Sequence, residues 1–457
     1  MNESFAWQRL IDLLFKVTLI WCLFSFKVFL VGFGEAGLRP DDLLILLCLA
    51  ALCYTGKLLQ TPVSLPLRLY FGFLGVSFLS AVWNSIQGRV SLPYSLTFVF
   101  RLVEYLGFYY VGYHLARIGF NFSKVALYYA YTLCAVVPLQ MLGLLPVPGI
   151  FGRDRASGNT NGPYELAIVC SFLLCFLAYK ERRRFIGTAS LAMIVLTASR
   201  ITLIASLLSL VRFSLLKSRS KGAMLAVALV LFLLGGGLYA ANSSGLVTIG
   251  AFDRLSNSKS LGFDDAMMLY DAAPVAQNAT DYYNGSFQDL NGIDTENFGG
   301  DLSGLIRFTR WITLFKTNLA HGDSILIGLG PSFGSAAVDG YFVRTYVETG
   351  LVGLIAFLSF AGAALWSRQR SNWYFREYVM IMIISAGFID IFSSYKSMML
   401  FWLWHGMNQY NDRSPVKRSF LKGYRVWLRD FFDPSRPAVL RRTELSPTLP
   451  KQNGPTT

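Results

Sequence analysis

Apolar residues in this chain come in long blocks rather than in alternation. Runs of about 20 residues with almost no charge recur along it, and each is long enough to cross a bilayer as a helix. Lipid offers no partner to a backbone N–H or C=O, so such runs must be helical. The predicted spans are 11–33, 41–57, 67–87, 95–116, 125–145, 164–180, 185–199, 201–216, 222–241, 343–366, 376–394 and 397–410. The fold class is therefore all-α, a polytopic membrane protein of about 12 transmembrane helices. Residues 1–241 hold spans 1–9, residues 242–342 form one large loop, residues 343–410 hold spans 10–12, and 411–457 make a basic tail.

Charge sets the orientation. Charged residues are 15% of the chain, against roughly 25% in a soluble protein. The net charge of +14 would suit nucleic acid, but the basic residues sit in short loops and in the tail. Lys57, Arg68, Arg117, Lys124, Lys180, Arg182, Arg183, Arg184, Lys217, Arg219, Lys221, Arg368, Arg370 and Arg376 fall on one side once the connections alternate. That is the positive-inside pattern, with no role for nucleic acid, and it predicts an inner-membrane protein with both termini cytoplasmic. The large loop between spans 9 and 10 is then periplasmic. All six cysteines lie in apolar runs and none reads as a disulfide or metal pair. No P-loop or carboxylate-rich metal motif is present, so neither a metal nor a cofactor is expected. The first run lacks a small-residue cleavage site and reads as a retained span.

Three outer features carry candidate chemistry. The run 185–216 is apolar except at Thr197-Ala198-Ser199-Arg200 and has basic residues at both ends. It must be a hairpin with Arg200 at its tip, either snorkelling to headgroups or holding an anion. Residues 242–306 are rich in Gly, Asn and Asp and read as irregular. From 303 to 320, Leu305, Phe308, Ile312, Phe315 and Leu319 make one stripe of an amphipathic interfacial helix, with Arg307 and Arg310 on the other side. Those arginines suit either bulk phospholipid or a bound pyrophosphate. A Gly-rich stretch, Gly328 to Gly334, leads to Asp339-Gly340-Tyr341, then Arg344 and Glu348, which are four apart and able to pair.

These residues resemble the O-antigen polymerase and O-antigen ligase superfamily of bacterial surface-polysaccharide assembly. The resemblance spans about 146–366. It rests on Arg153 to Asn161 before the sixth span, the Thr197–Arg200 tip, and the long outer loop ending in Gly328-Leu329-Gly330. Val338-Asp339-Gly340-Tyr341 and Glu348-Thr349-Gly350-Leu351-Val352-Gly353 complete it. It implies a membrane-embedded, inverting, metal-independent glycosyltransferase that uses undecaprenyl-pyrophosphate-linked glycans in contact with membrane lipids, with flippase and chain-length regulator proteins as partners. Arg153, Arg155, Arg200, Arg307 and Arg310 would hold the donor pyrophosphate, with Arg344 and Tyr341 beside them. Where ligases of the family carry a His-Asn pair, this chain has Asp339-Gly340, which favours a polymerase building O-antigen, capsule or exopolysaccharide.

The chemistry asks for such residues. Negative charge grows on a departing pyrophosphate, and fixed guanidinium groups stabilise it through paired N–H donors. The attacking sugar hydroxyl must lose a proton, which a carboxylate within reach accepts. Asp339 and Glu348 are the first candidates, followed by Asp154 and Glu165. A ligase, a lipid-linked oligosaccharide flippase and a membrane scaffold for export are the competing classes. No internal repeat supports the flippase, and a scaffold leaves Arg200 without a purpose.

Overall fold

A computed structural model describes residues 3–26, 39–146, 155–197, 199–217, 263–285, 302–334, 338–366 and 373–413. Among them every regular element is helical: α1 (Glu3–Phe24), α2 (Pro40–Tyr54), α3 (Lys57–Gln60), α4 (Leu65–Ile86), α5 (Leu92–Arg117) and α6 (Phe122–Met141) come first. Then follow α7 (Pro163–Leu173, continued by a π-helical stretch to Lys180), α8 (Arg184–Leu196), α9 (Arg200–Lys217), α10 (Phe263–Ala272), α11 (Ala279–Gly285), α12 (Leu302–Ala320) and α13 (Ser324–Ile327). The last are α14 (Tyr341–Trp366), α15 (Trp373–Ala386) and α16 (Tyr395–Arg413). A helix stands at every predicted span except 222–241, which lies outside the described residues, as does the tail after 413.

Among the described residues, four helices are long and apolar enough to cross a membrane: Leu65–Ile86, Phe122–Met141, Pro163–Lys180 and Tyr341–Trp366. The twelfth predicted span shows why others fall short of that measure. It runs over Tyr395–Arg413 and is buried by protein from Met398 to Trp404. A helix surrounded by other helices need not be uniformly apolar. It packs along α5 so closely that a Cβ on Gly112 would meet the Leu403 carbonyl and one on Gly406 the Tyr109 carbonyl. Small residues at a crossing let helix backbones approach where water supplies no driving force. Trp402 then packs between Tyr70 and Phe360, with ring centroids 4.9 and 5.7 Å away.

Local sequence explains the helix starts. Pro40, Pro66, Pro93 and Pro163 stand in first turns, where their missing N–H costs nothing. Asn121 caps α6 by accepting from the Lys124 N–H at 3.2 Å.

The large loop departs from its predicted irregularity. Residues 263–272 and 279–285 are helical inside the stretch expected to lack structure. They have no long apolar repeat, and tertiary contacts hold them. Lys316 of α12 donates to the carbonyls of Tyr270, Asp271 and Ala273 at 2.7–3.0 Å, closing the C-terminus of α10. The Ala279 N–H donates to the Arg89 carbonyl at 2.9 Å, tying α11 to the α4–α5 turn. A small core of Val90, Ala276, Tyr282, Leu314, Leu329, Phe333, Val338 and Val347 joins these pieces into a cap over one end of the bundle.

The cap grips a broken helix. Gly350 interrupts α14 with φ +67, and a side chain there would strike the Leu326 backbone. The break frees the Val347 and Glu348 carbonyls, which accept from the N–H groups of Leu329 at 2.7 Å and Gly330 at 3.1 Å. Ser80 of α4 also donates to the Glu348 carbonyl at 2.8 Å. Irregular backbone survives among membrane helices only when such partners exist.

Candidate functional site

The arginines of two separate connections converge under the cap. Arg155 lies just before α7, nearly buried, and its Nε donates to the Thr197 carbonyl at 3.0 Å. The Ala156 N–H donates to the Leu196 carbonyl at 3.1 Å, so this segment is docked on the α8–α9 tip. Arg307 approaches from α12. Its Nη2 donates to the Tyr164 hydroxyl at 2.7 Å, and Arg155 Nη1 donates to the same oxygen at 3.2 Å. Arg307 also forms an ion pair with Asp339, Nε to Oδ2 3.2 Å. Tyr164 therefore bridges two guanidinium groups, and one of them reaches the leading candidate base.

The helical wheel of α12 explains this aim. Leu314, Thr317 and Asn318 are buried against the protein, and Arg307 and Arg310 share their side of the helix. The stripe at Phe308, Ile312 and Phe315 is only partly covered, and Leu319 is exposed. Arg307 and Arg310 thus lie on the side of the helix that packs against the protein, and Leu305 at the start of the apolar stripe is buried as well. Burial works against the Arg307 charge, but Tyr164 and Asp339 outweigh it and hold its pKa above the usual value. For Arg310 burial prevails, and its pKa is lowered despite the neighbouring Asp339.

Asp339 has φ +53, the left-handed region, which a non-glycine residue enters at a cost. The Trp311 indole fixes the turn by donating to the Val338 carbonyl at 2.8 Å and the Asp339 carbonyl at 3.1 Å. Next to it, the Gly340 N–H donates to Asp390 Oδ1 at 3.3 Å. The carboxylate that meets the backbone at the start of α14 is thus Asp390, while that of Asp339 points to Arg307.

Glu348 lies in a different environment. It pairs with Arg344 at 3.5 Å, and its Oε1 also accepts from the Ser332 N–H at 3.2 Å. Arg344 reaches Asp390 as well, Nη2 to Oδ2 2.9 Å, and all three groups are largely buried. Glu165 bridges two helix starts, accepting from the backbone N–H of Asn161 at 2.8 Å and of Lys396 at 2.7 Å. Tyr341 packs its ring 4.9 Å from Phe357 and 5.4 Å from Phe392, inside the aromatic core. Arg200 opens α9 at the tip, half-exposed. Arg153 and Asp154 lie outside the described residues.

Two residues that complete the geometry escaped the sequence reading, Tyr164 and Asp390. Asp390 carried a signal, being an acid deep in the apolar run 376–394, whose other acid, Glu377, stands at its start, and an ionisable group there demands a partner. Tyr164 carried none, since a tyrosine after Pro163 at a helix start is ordinary.

Asp41, Asp42 and Glu104 bring oxygens within 4.8 Å of one another, close enough to hold a cation. Arg39 and Arg101 already occupy these oxygens. Arg39 lies 3.1 Å from Asp42 and 2.7 Å from Glu104, and Arg101 lies 3.0 and 2.7 Å from the same two. The cluster is a buried salt-bridge network in which two guanidinium groups face three carboxylates.

The chain matches no protein-family model and no curated protein sequence.

Proposed function

We propose that this chain is a polymerase of undecaprenyl-pyrophosphate-linked oligosaccharide repeat units, working on the outer face of a bacterial inner membrane. The observation that carries the reading is the convergence of Arg155 and Arg307 on Tyr164, with Asp339 paired to the same Arg307. Guanidinium groups from two connections, facing inward and already arranged around an oxygen, suit a diphosphate.

In the proposed reaction the acceptor hydroxyl oxygen attacks the anomeric carbon of the donor. The bond from that carbon to the phosphate oxygen breaks, and its electron pair leaves with the pyrophosphate. Arg155 and Arg307 neutralise that charge. The hydroxyl proton passes to Asp339. At rest Arg307 occupies Asp339 Oδ2. An arriving pyrophosphate competes for the guanidinium and uncovers the carboxylate as the donor seats. Asn at 339 tolerates the left-handed turn but cannot take the proton.

The test is a purified protein given one defined lipid-linked repeat unit, with products resolved on a gel. A ladder of multimers from the wild type, lost in Asp339→Asn, is the expected result. No ladder from any defined repeat unit, with the protein folded, sinks the reading.

A transporter of the same lipid-linked unit draws support from the broken α14, because discontinuous helices build transporter sites. The freed carbonyls are already bonded to Leu329, Gly330 and Ser80, which leaves them little for cargo. A knockout separates the two: loss of a polymerase leaves single repeat units on the acceptor, and loss of a flippase leaves none.

A further inference from the structure

The arginines of the site come from different parts of the chain, Arg155 from the segment before α7 and Arg307 from α12, and Tyr164 is the group they share. Its hydroxyl oxygen accepts from Arg307 Nη2 at 2.7 Å and from Arg155 Nη1 at 3.2 Å. Its ring lies under the same two groups, with the Arg155 and Arg307 guanidinium carbons 4.4 and 5.7 Å from the ring centroid. We propose that Tyr164 is the positioning residue of the site, a neutral tether that sets two guanidinium groups side by side for one diphosphate. The inference rests on the polymerase reading, in which pyrophosphate is the leaving group.

Two like charges repel, so something must hold them together before an anion arrives. A carboxylate would do so most strongly, but it would neutralise them, and an incoming phosphate would have to displace a charged rival. A phenol hydroxyl carries no charge. It aligns the pair and neutralises neither member, and a phosphate oxygen makes the stronger bond to either one. Long arginine side chains lose much rotamer freedom when a ligand fixes them, and a tether that fixes them beforehand lowers that cost. The tyrosine is itself firmly mounted. Pro163 sets the backbone before it. Glu165 after it accepts from the backbone N–H groups of Asn161 and Lys396 at 2.8 and 2.7 Å. The helix it opens is buried from Leu166 to Leu173. A residue that merely stapled α12 to α7 would need Arg307 alone. The second bond, to Arg155, brings together two cations that gain nothing from each other unless an anion joins them.

Detergent-solubilised full-length protein is titrated calorimetrically with inorganic pyrophosphate, which can span both guanidinium groups, and with inorganic phosphate, which one can hold. Tyr164→Phe keeps the ring under the arginines and loses only the hydroxyl, so its Tm should stay near wild type. It should weaken pyrophosphate about tenfold and phosphate less than about twofold, the mark of lost alignment. In an Arg155→Ala background, where no pair is left to align, Tyr164→Phe should cost less than about twofold more. Tyr164→Glu, a charged rival in the same place, should lose pyrophosphate altogether. Wild-type affinity in Tyr164→Phe overturns the tether, as does an equal loss for both anions or pyrophosphate binding kept in Tyr164→Glu. The full tenfold loss in the Arg155→Ala background also overturns it, because the hydroxyl would then act without the pair. So does a wild type that takes no pyrophosphate. The polymerase reading fails separately. A protein that shows the coupling but builds no ladder from a lipid-linked repeat unit keeps the tether and loses the polymerase, and a ladder without the coupling does the reverse.

Discussion

Two arginine–carboxylate clusters lie a few residues apart at the capped end of the bundle, and they differ in how finished they are. Arg344 is enclosed with Glu348 and Asp390, its side chain only 6% exposed. Arg307 and Asp339 are 22% and 31% exposed, and Tyr164 stands where a stronger acceptor could stand. The enclosed cluster spends its charges on fixing the start of α14 and the Gly-rich stretch against it. The open cluster has partners that a ligand can replace. Full satisfaction marks a structural device, and replaceable partners mark a binding site. The candidate bases divide along the same line, since Glu348 is enclosed and Asp339 is partly exposed.

The largest effect should come from the enclosed side. Arg344→Ala leaves Glu348 and Asp390 buried without a cation, a loss of about 3–5 kcal/mol. Thermal unfolding of detergent-solubilised protein should show it as a large fall in Tm. Adding Glu348→Gln and Asp390→Asn, which removes the uncompensated charges, should restore much of it. An Arg344→Ala protein as stable as wild type but inactive would erase the distinction between the clusters.

Next comes the open side, where the fold should survive and the reaction should not. Arg307→Ala should cost about 100- to 1000-fold in polymer formation, the effect of losing one group that stabilises developing charge. Membrane levels and Tm should stay near wild type. Arg307→Lys should recover only part of the rate, because an ammonium lacks the planar fork that reaches Tyr164 and a phosphate together. Wild-type polymer from Arg307→Ala would move the site elsewhere.

A third test addresses the backbone between the clusters. Gly350→Ala puts a Cβ into a left-handed turn and against the Leu326 backbone. Strain of about 1–3 kcal/mol at the break is expected. Proteolysis of the cap should then accelerate, whereas an unchanged rate would mean that the break does not hold the cap.

How much of this was legible depended on what each residue contacts. Apolar runs marked the helices because lipid or protein surrounds them on all sides. The stripe at Leu305, Phe308, Ile312, Phe315 and Leu319 gave α12 its bounds because one face of that helix is apolar. The α10 and α11 helices were illegible, because the Lys316 ammonium donating to three carbonyls and the Ala279 N–H donating to the Arg89 carbonyl hold them, and neither contact leaves a periodic trace. In the site, the Arg344–Glu348 pair could be read from a spacing of four. The Arg307–Asp339 pair links residues 32 apart and depends on the Asp339 turn, which no spacing announces.

The smallest effect belongs to the clamp that joins the cap to the α4–α5 turn. Arg89 binds Asp323 with both nitrogens, Nη2 to Oδ1 2.7 Å and Nη1 to Oδ2 2.9 Å, and the Trp83 indole adds a bond to Oδ2 at 2.9 Å. Arg89 leads in holding the Asp323 carboxyl down at about 2. A depressed carboxyl stabilises the folded form above its unfolded value of 3.8 and loses that contribution as pH falls toward 2. Asp323 is partly exposed, so the pair should be worth no more than about 1 kcal/mol. Asp323→Asn keeps an acceptor for Trp83 and loses only the charge. The variant should therefore be slightly less stable than wild type at neutral pH, and the two should converge between pH 4 and pH 2. Denaturant unfolding of both proteins at several pH values, followed by circular dichroism, checks this. Polymer formation at neutral pH should stay within about twofold, since a salt-screened surface pair contributes little. A tenfold loss there would make the clamp part of the open cluster, and the cap would then be a working part of the site and not merely its roof.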